Sequence, residues 1–327
     1  MRGRDEHDAK INLLVNKVIS CYPDYMKDYT KRFASRTAST KLNYVRKVIE
    51  FLDFVKADGR YDINHLESLA KIKTSYINGY MESMNNLSPV TRANKLAAIK
   101  DFFDFMCDDE YIDNNPCNRV KPPKIEENIH VVSMSPDEIN HVKYRVKNGF
   151  AEETKLEKVR RKKWRSRDLA IVALGCSTGL RVSSITEINL EDIDFERKVI
   201  TVVVKGNKTR ECFVGDKTFK ALKDWIHDRE EIMKGEKCDA LFVSDRKSRI
   251  SICTVSRIVE RGAGDLCKHI TPHKMRSSCA TNLYNATGDI YLVQEVLGHS
   301  NIKNTRRYAA VNNQKKQKAA DILDKLM

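Results

Sequence analysis

The chain has no run approaching the ~18–20 consecutive apolar residues that a membrane-spanning helix needs, although hydrophobic residues fill 41% of its 327 positions. Its opening segment, MRGRDEHDAK, is charged and lacks the apolar stretch of a secretion signal. These absences lead to the expectation of a cytoplasmic protein, or a nuclear one where the host has a nucleus. Nine cysteines stand at 21, 107, 117, 176, 212, 238, 253, 267 and 279, and no two form a C-x-x-C pair. An odd, scattered set argues against a disulfide framework, and the missing ligand pairs argue against zinc. Most are expected to be small buried hydrophobes. No internal repeat is visible.

Acid runs short in the second part of the chain. Residues 1–130 hold 21 Lys/Arg against 19 Asp/Glu, whereas residues 131–327 hold 38 against 26. The net charge of +14 therefore falls mostly on the second part. A basic surface of that size gains binding energy by releasing counterions from phosphates, so a polyanion partner is expected. The densest stretch, Lys155–Arg167, has eight basic residues and one acid. It reads as a charged helix or loop that either faces nucleic acid or is simply solvated.

The length favours two domains over one. Residues about 10–115 read as helical. Leu42, Val45, Val48, Ile49, Leu52 and Val55 recur at three- and four-residue steps, which is one helix face. Ser88-Pro89 opens a further helix with a hydroxyl cap and a proline whose missing N–H does no harm. That helix is expected to turn Leu96, Ile99, Phe102 and Phe103 inward, and Asn114-Asn115-Pro116 breaks the pattern. Pro122-Pro123 marks an extended linker over 120–130. Ser135-Pro136-Asp137-Glu138 starts a new helix with a capping box. Another helix runs through Leu169–Cys176. Then Val199–Val204 and Cys212–Val214 read as paired strands around a Gly206-Asn207 turn, with Ile193–Phe195 a third strand. From about 252 onward the chain reads helical again. The fold class is mainly α with a small antiparallel sheet: a helical domain over 1–119, the linker, and a mixed α/β domain over 131–327.

Five short pieces of the second domain carry the chemistry. They are Thr178-Gly179-Leu180-Arg181, Val204-Lys205-Gly206-Asn207-Lys208, Thr271-Pro272-His273-Lys274-Met275-Arg276, Leu297-Gly298-His299-Ser300 and Thr305-Arg306-Arg307-Tyr308. They supply arginines, histidines, a lysine and a tyrosine, without a carboxylate pair or a metal cluster. That set suits phosphoryl transfer at a phosphodiester. Guanidinium forks match the extra charge on the non-bridging oxygens, a hydroxyl attacks, and an acid protonates the leaving oxygen. With enough fixed cations neither a metal nor a cofactor is required. His273 and Arg276 lie three apart at a helix start, where both can face one point. Singly, each residue has an ordinary structural explanation; their order and local contexts set them apart.

The set resembles the tyrosine recombinase (phage-integrase) family, with a layout most similar to its Xer-type or simple integrase members. The likeness runs through most of 168–311; the first domain is similar to the family's core DNA-binding domain. The resemblance implies a role for each residue. Arg181 and Arg276 would clamp the scissile phosphate, and His273 would assist proton transfer. His299 would bond the phosphate or position the nucleophile. Lys205 would protonate the leaving 5′-oxygen, with Lys208 as its competitor. Tyr308 would attack, giving a 3′-phosphotyrosyl intermediate that a second strand's hydroxyl can resolve without ATP. Neither Tyr284 nor Tyr291 follows the Leu-Gly-His piece at the family's interval.

One position departs from the family. The acidic residue usual three places after the first arginine is Ser184, which supplies no charge, and Glu187 is a candidate substitute. Ala319, Ile322, Leu323 and Leu326 give the tail, Asn313–Met327, a helical spacing; in such proteins a terminal helix docks on a neighbouring protomer, though packing on its own domain is the alternative. Lys41, Arg46, Arg92 and Lys95 are candidate DNA contacts in the first domain. The implied assembly is a homo-tetramer on two double-stranded DNA sites, with accessory DNA-bending or regulatory proteins as further partners. The rival functions are a type IB topoisomerase-like nicking and closing enzyme and a non-catalytic DNA-binding relative.

Overall fold

The computed structural model describes residues 3–125, 131–150, 153–203, 209–299, 301–309 and 324. The chain divides into two compact units, Met1–Glu127 and Asn128–Met327.

The first unit is helical: α1 (Gly3–Ile19), α2 (Tyr25–Lys31), α3 (Ala38–Asp58), the single turn α4 (Leu66–Leu69), α5 (Thr74–Ser83) and α6 (Pro89–Asp108). Helix α3 starts where Thr37 accepts from the Thr40 N–H and stops at Gly59, whose φ of 73° a side chain would disfavour. Ser88 caps α6 by accepting from the Thr91 N–H, with Pro89 in its first turn, as the sequence predicts. Leu96, Ile99, Phe102 and Phe103 are all buried. Phe102 meets Tyr29 edge-on with ring centroids 5.4 Å apart, and the Tyr29 hydroxyl donates to Asp101. The break after α6 is a stitched joint. Asn115 donates to the Lys100 carbonyl and to Asp104, and accepts from the Cys117 N–H. A 3-10 turn follows at Pro116–Arg119. Val120, read as the first linker residue, is buried in this first core.

The second unit is built around α8 (Lys155–Thr178), which packs against α7 (Pro136–Asn148), α10 (Asp216–Met233) and α12 (Pro272–Thr287). Capping boxes at Ser135/Glu138 and Thr154/Glu157 open α7 and α8. The basic stretch 155–167 and the apolar stretch 169–176 are one continuous helix. Trp164 and Arg167 turn inward from the basic part: Trp164 packs against Trp225 at 6.1 Å, and Arg167 donates to the Val243 carbonyl. Arg229 of α10 donates to the carbonyls of Cys238 and Ala240. Together these arginines seat the buried segment Ala240–Val243, which no periodicity in the sequence announced.

The sheet has the order β1 (Ile193–Asp194), β2 (Val199–Val203), β3 (Thr209–Phe213), antiparallel throughout, with Ile200 facing Ile193 on one side and Cys212 on the other. The returning strand thus begins earlier than the predicted Cys212 and ends before Val214, and Phe195 lies outside β1. Short helices complete the unit: α9 (Val182–Glu187), α11 (Ile252–Gly262), α13 (Ile290–Leu297) and α14 (Lys303–Ala309). All nine cysteines are free; 117, 176, 212 and 279 are buried, whereas 21, 253 and 267 are exposed, so burial holds for fewer of them than expected. No helix among the described residues is long and apolar enough to cross a membrane.

Phe102→Ala is expected to destabilise the first unit by about 3–5 kcal/mol, because a fully buried ring leaves a cavity among rigid aromatic neighbours. Urea unfolding followed by far-ultraviolet circular dichroism measures it; a loss under about 1 kcal/mol would contradict this packing.

Candidate active site

Helix α8 ends at Gly179, whose φ is 61° and where a Cβ would lie 2.6 Å from Leu297. Both facts require glycine there. The chain leaves this turn through Arg181, the exposed residue before α9. The Gly179 carbonyl accepts from Arg276 Nη1 at 2.5 Å, and the Leu297 carbonyl accepts from Nη2 at 2.7 Å. Arg276, one turn into α12 and 3% exposed, therefore fastens the carboxyl ends of α8 and α13 together. Carbonyls at helix ends lack intrahelical partners and sit at the negative end of the helix dipole, so a cation suits them. Burial, then the charge of Arg181, push Arg276 down to about 10, with the Tyr308 phenol acting in the opposite sense. Still a cation at neutral pH, Arg276 has no carboxylate partner among the described residues.

His273 precedes Arg276 on the first turn of α12. Partial burial, then Arg276, Lys274, Arg307 and Arg181, hold its proton affinity below the ordinary histidine value. His299 follows Gly298 after α13. Burial, then Arg276, Arg181, Arg307 and His273, push it down to about 4. Its Nδ1 lies 2.9 Å from the hydroxyl of Thr305, a fully buried residue of α14. One turn further on, Tyr308 is 2% exposed and packs with Ala280, Val293 and Leu297. Arg181, His273, Arg276, His299 and Tyr308 thus meet in one electrostatic field. Its chemistry is that of an anion site: several cations, two neutral imidazoles and a phenol. Among the described residues no group of three or more His, Cys, Asp or Glu is placed to hold a metal ion.

Other expected residues fare differently. Lys205 and Lys208 lie outside the described residues, as does the tail 313–327 apart from Asp324. Ser184 is half-buried on α9, and Glu187 makes no hydrogen bond to Arg181 or Arg276 among the described residues. Tyr284 packs against the apolar cluster that holds Tyr308, whereas Tyr291 is exposed. In the first unit Arg46 is exposed and Lys41 half-buried. Arg92 donates to Asn85, and Lys95 is paired with Glu50 at 2.5 Å, which leaves Lys95 little free charge. Two site residues escaped the sequence reading. Arg307 sits beside Tyr308 in a quoted piece and acts on both histidines. Arg210 donates to the carbonyls of Glu295 and Val296 at 2.9 Å each, a contact no linear spacing signals.

The depressed proton affinity of His299 has a stability consequence. The unfolded chain takes up this proton near pH 6.5, the folded one only near 4, so the contribution is full above about 6.5 and is lost as pH falls to about 4. His299→Asn is expected to flatten the rise of unfolding free energy with pH in that window by roughly one proton. Urea titrations at stepped pH read the slope; an unchanged slope would contradict the burial of a neutral His299.

Comparison with known proteins fits this geometry. The family model for the phage integrase family matches residues 151–315, and that for the phage integrase N-terminal SAM-like domain matches 27–110. Over 283 residues the chain is 30% identical to tyrosine recombinase XerC of Syntrophus aciditrophicus, covering 84% of this chain and 87% of the relative. Over 238 residues it is 32% identical to tyrosine recombinase XerC of Shewanella amazonensis, covering 72% and 75%. The fold is similar to that of XerH site-specific recombinase bound to a palindromic difH substrate in a post-cleavage complex. The TM-score is 0.70, at 21% identity, over 91% of this chain and 84% of that one. The chain belongs to the phage integrase family and is a site-specific tyrosine recombinase.

Proposed function

We propose that Tyr308 is the nucleophile and that Arg181, Arg276, His273, His299 and Lys205 serve the phosphate it attacks. The observation that supports this most is Arg276: a buried guanidinium, bonded only to carbonyls among the described residues, with Arg181, both histidines and the phenol around it. A phosphodiester oxygen supplies the negative charge this field lacks. Tyr308 Oη bonds to phosphorus while the bond from phosphorus to the 5′-oxygen breaks. The phenol proton passes to His273, whose lowered affinity leaves it neutral and ready to accept. Lys205 returns a proton to the leaving 5′-oxygen. With the Thr305 hydroxyl donating to Nδ1, neutral His299 carries its proton on Nε2 and donates to a non-bridging oxygen. The product is a 3′-phosphotyrosyl link and a free 5′-hydroxyl. Attack by another strand's 5′-hydroxyl reverses the chemistry on a new partner and keeps the number of phosphodiesters constant.

The finer reading has the first unit as a helical core DNA-binding domain and the second as the catalytic domain, working in the cytoplasm as a homo-tetramer on two DNA sites. The palindromic substrate of the XerH relative points to a site with two inverted arms. Lys41 and Arg46 are the better-placed DNA contacts of the first unit. Arg92 and Lys95 stay candidates that would first have to leave Asn85 and Glu50. The tail helix would dock in trans, and accessory DNA-bending proteins would set the outcome as integration, excision or dimer resolution.

The test is a nicked suicide duplex in EDTA, carrying the junction of the host element or the chromosomal dimer site. Wild type is expected to give a covalent protein–DNA band and Tyr308→Phe none. A band from Tyr308→Phe would remove Tyr308 as nucleophile. A bound duplex with no band from wild type would favour a binding-only relative, with Ser184 the first suspect. On a two-site plasmid, recombined circles are expected; relaxed circles alone would indicate nicking and closing.

A further inference from the structure

Strand β3 begins at Thr209, and its second residue reaches across to α13. Arg210 Nη1 donates to the carbonyls of Glu295 and Val296, while Arg276 Nη2 takes that of Leu297. Two guanidinium groups, one from the sheet and one from α12, thus collect three successive carbonyls at the carboxyl end of α13. The helix needs this help. It is eight residues long, and helices so short are marginal without tertiary support. Arg210 also covers the turn that follows. Gly298 has a φ of 63°, and a Cβ there would lie 2.7 Å from Arg210 Nη1 and 3.1 Å from Cζ. The backbone favours glycine there, and a side chain at this position would push the guanidinium aside. The next residue is His299, whose Nδ1 reaches Thr305 on the helix that carries Tyr308.

We propose that Arg210 is a positioning residue: it braces the carboxyl end of α13 against the sheet and so fixes where the Gly298–His299 turn presents His299 to the phosphate. Among the described residues its hydrogen bonds go to the α13 carbonyls and not to Tyr308. Its Nε is buried without a partner among the described residues, a cost that the two Nη1 bonds offset. The proximity of Arg210 and Arg276, two like charges, is tolerated because both face the negative end of one helix. This inference rests on the role proposed for His299.

The experiment is single-turnover cleavage of the suicide duplex by wild type, Arg210→Met, Arg210→Lys, His299→Ala and the Arg210→Met/His299→Ala double variant. Site binding is measured in parallel. Arg210→Met keeps the bulk and removes the fork; it is expected to slow cleavage about 10–100-fold, the scale of an ångström-level misplacement, with DNA binding little changed. In the His299→Ala background the same change is expected to slow cleavage less than about 3-fold further, because contacts that act as one unit are not additive. A fully multiplicative loss, or a wild-type rate from Arg210→Met, would overturn the proposal. Rescue of Arg210→Met by a substrate with sulfur in the bridging 5′ position, whose thiolate leaving group needs no proton, would also overturn it by moving the effect to Lys205. If Arg210→Met fails to fold, Arg210→Lys carries the same comparison, since an ammonium cannot span both carbonyls. Unimpaired cleavage by His299→Ala alone would instead refute the role of His299, a separate failure.

Discussion

A buried guanidinium joins three stretches of this chain into one site. Arg276 links α12 to the carboxyl ends of α8 and α13 through two carbonyls, and nothing carboxylic neutralises it among the described residues. Hydrogen bonds to two carbonyls occupy both of its terminal nitrogens but do not neutralise its charge. Burying a cation in that condition is unfavourable unless an anion completes the site. The free protein therefore holds an incomplete electrostatic arrangement, which the proposed scissile phosphate would complete.

The same deficit sets the state of the neighbours. Burial, and then positive charge from Arg276, Arg181 and Arg307, keeps His273 and His299 short of their ordinary proton affinity. Two imidazoles that are neutral at working pH can take up or donate a proton, whereas two imidazolium ions would only add to the repulsion. Tyr308 is held with its ring in a small apolar cluster and its phenol within the field of Arg276. Arg210 extends the scheme outward by tying the sheet to the same carbonyl end of α13. Electrostatic preorganisation of this kind acts without rearrangement at the moment of reaction.

Much of this was legible in linear order. The apolar steps of α3 and α6, the hydroxyl caps and the Ser135/Glu138 box are local patterns, and local hydrogen bonds decide them. The five chemical pieces were legible because each keeps its residues within one turn. What escaped depends on distant contacts. Arg167 looks like one more surface charge until Val243, far along the chain, accepts from it. Val120 reads as linker beside two prolines, yet the first core buries it. Arg210 has no motif of its own; its partners lie beyond three intervening helices in sequence. The expectation of mostly buried cysteines failed at 21, 253 and 267, since a small residue tolerates exposure as well as burial.

The central claim is that Arg276 acts on phosphate charge and not only as a brace between helix ends. It is tested most directly by comparing Arg276→Ala with wild type on two suicide duplexes, one with the natural scissile phosphate and one with a neutral methylphosphonate at that position. The account predicts that the variant's cleavage defect shrinks by orders of magnitude on the neutral substrate, because the charge that the guanidinium serves is gone. An equal defect on both substrates would contradict it and leave Arg276 as a structural tie alone.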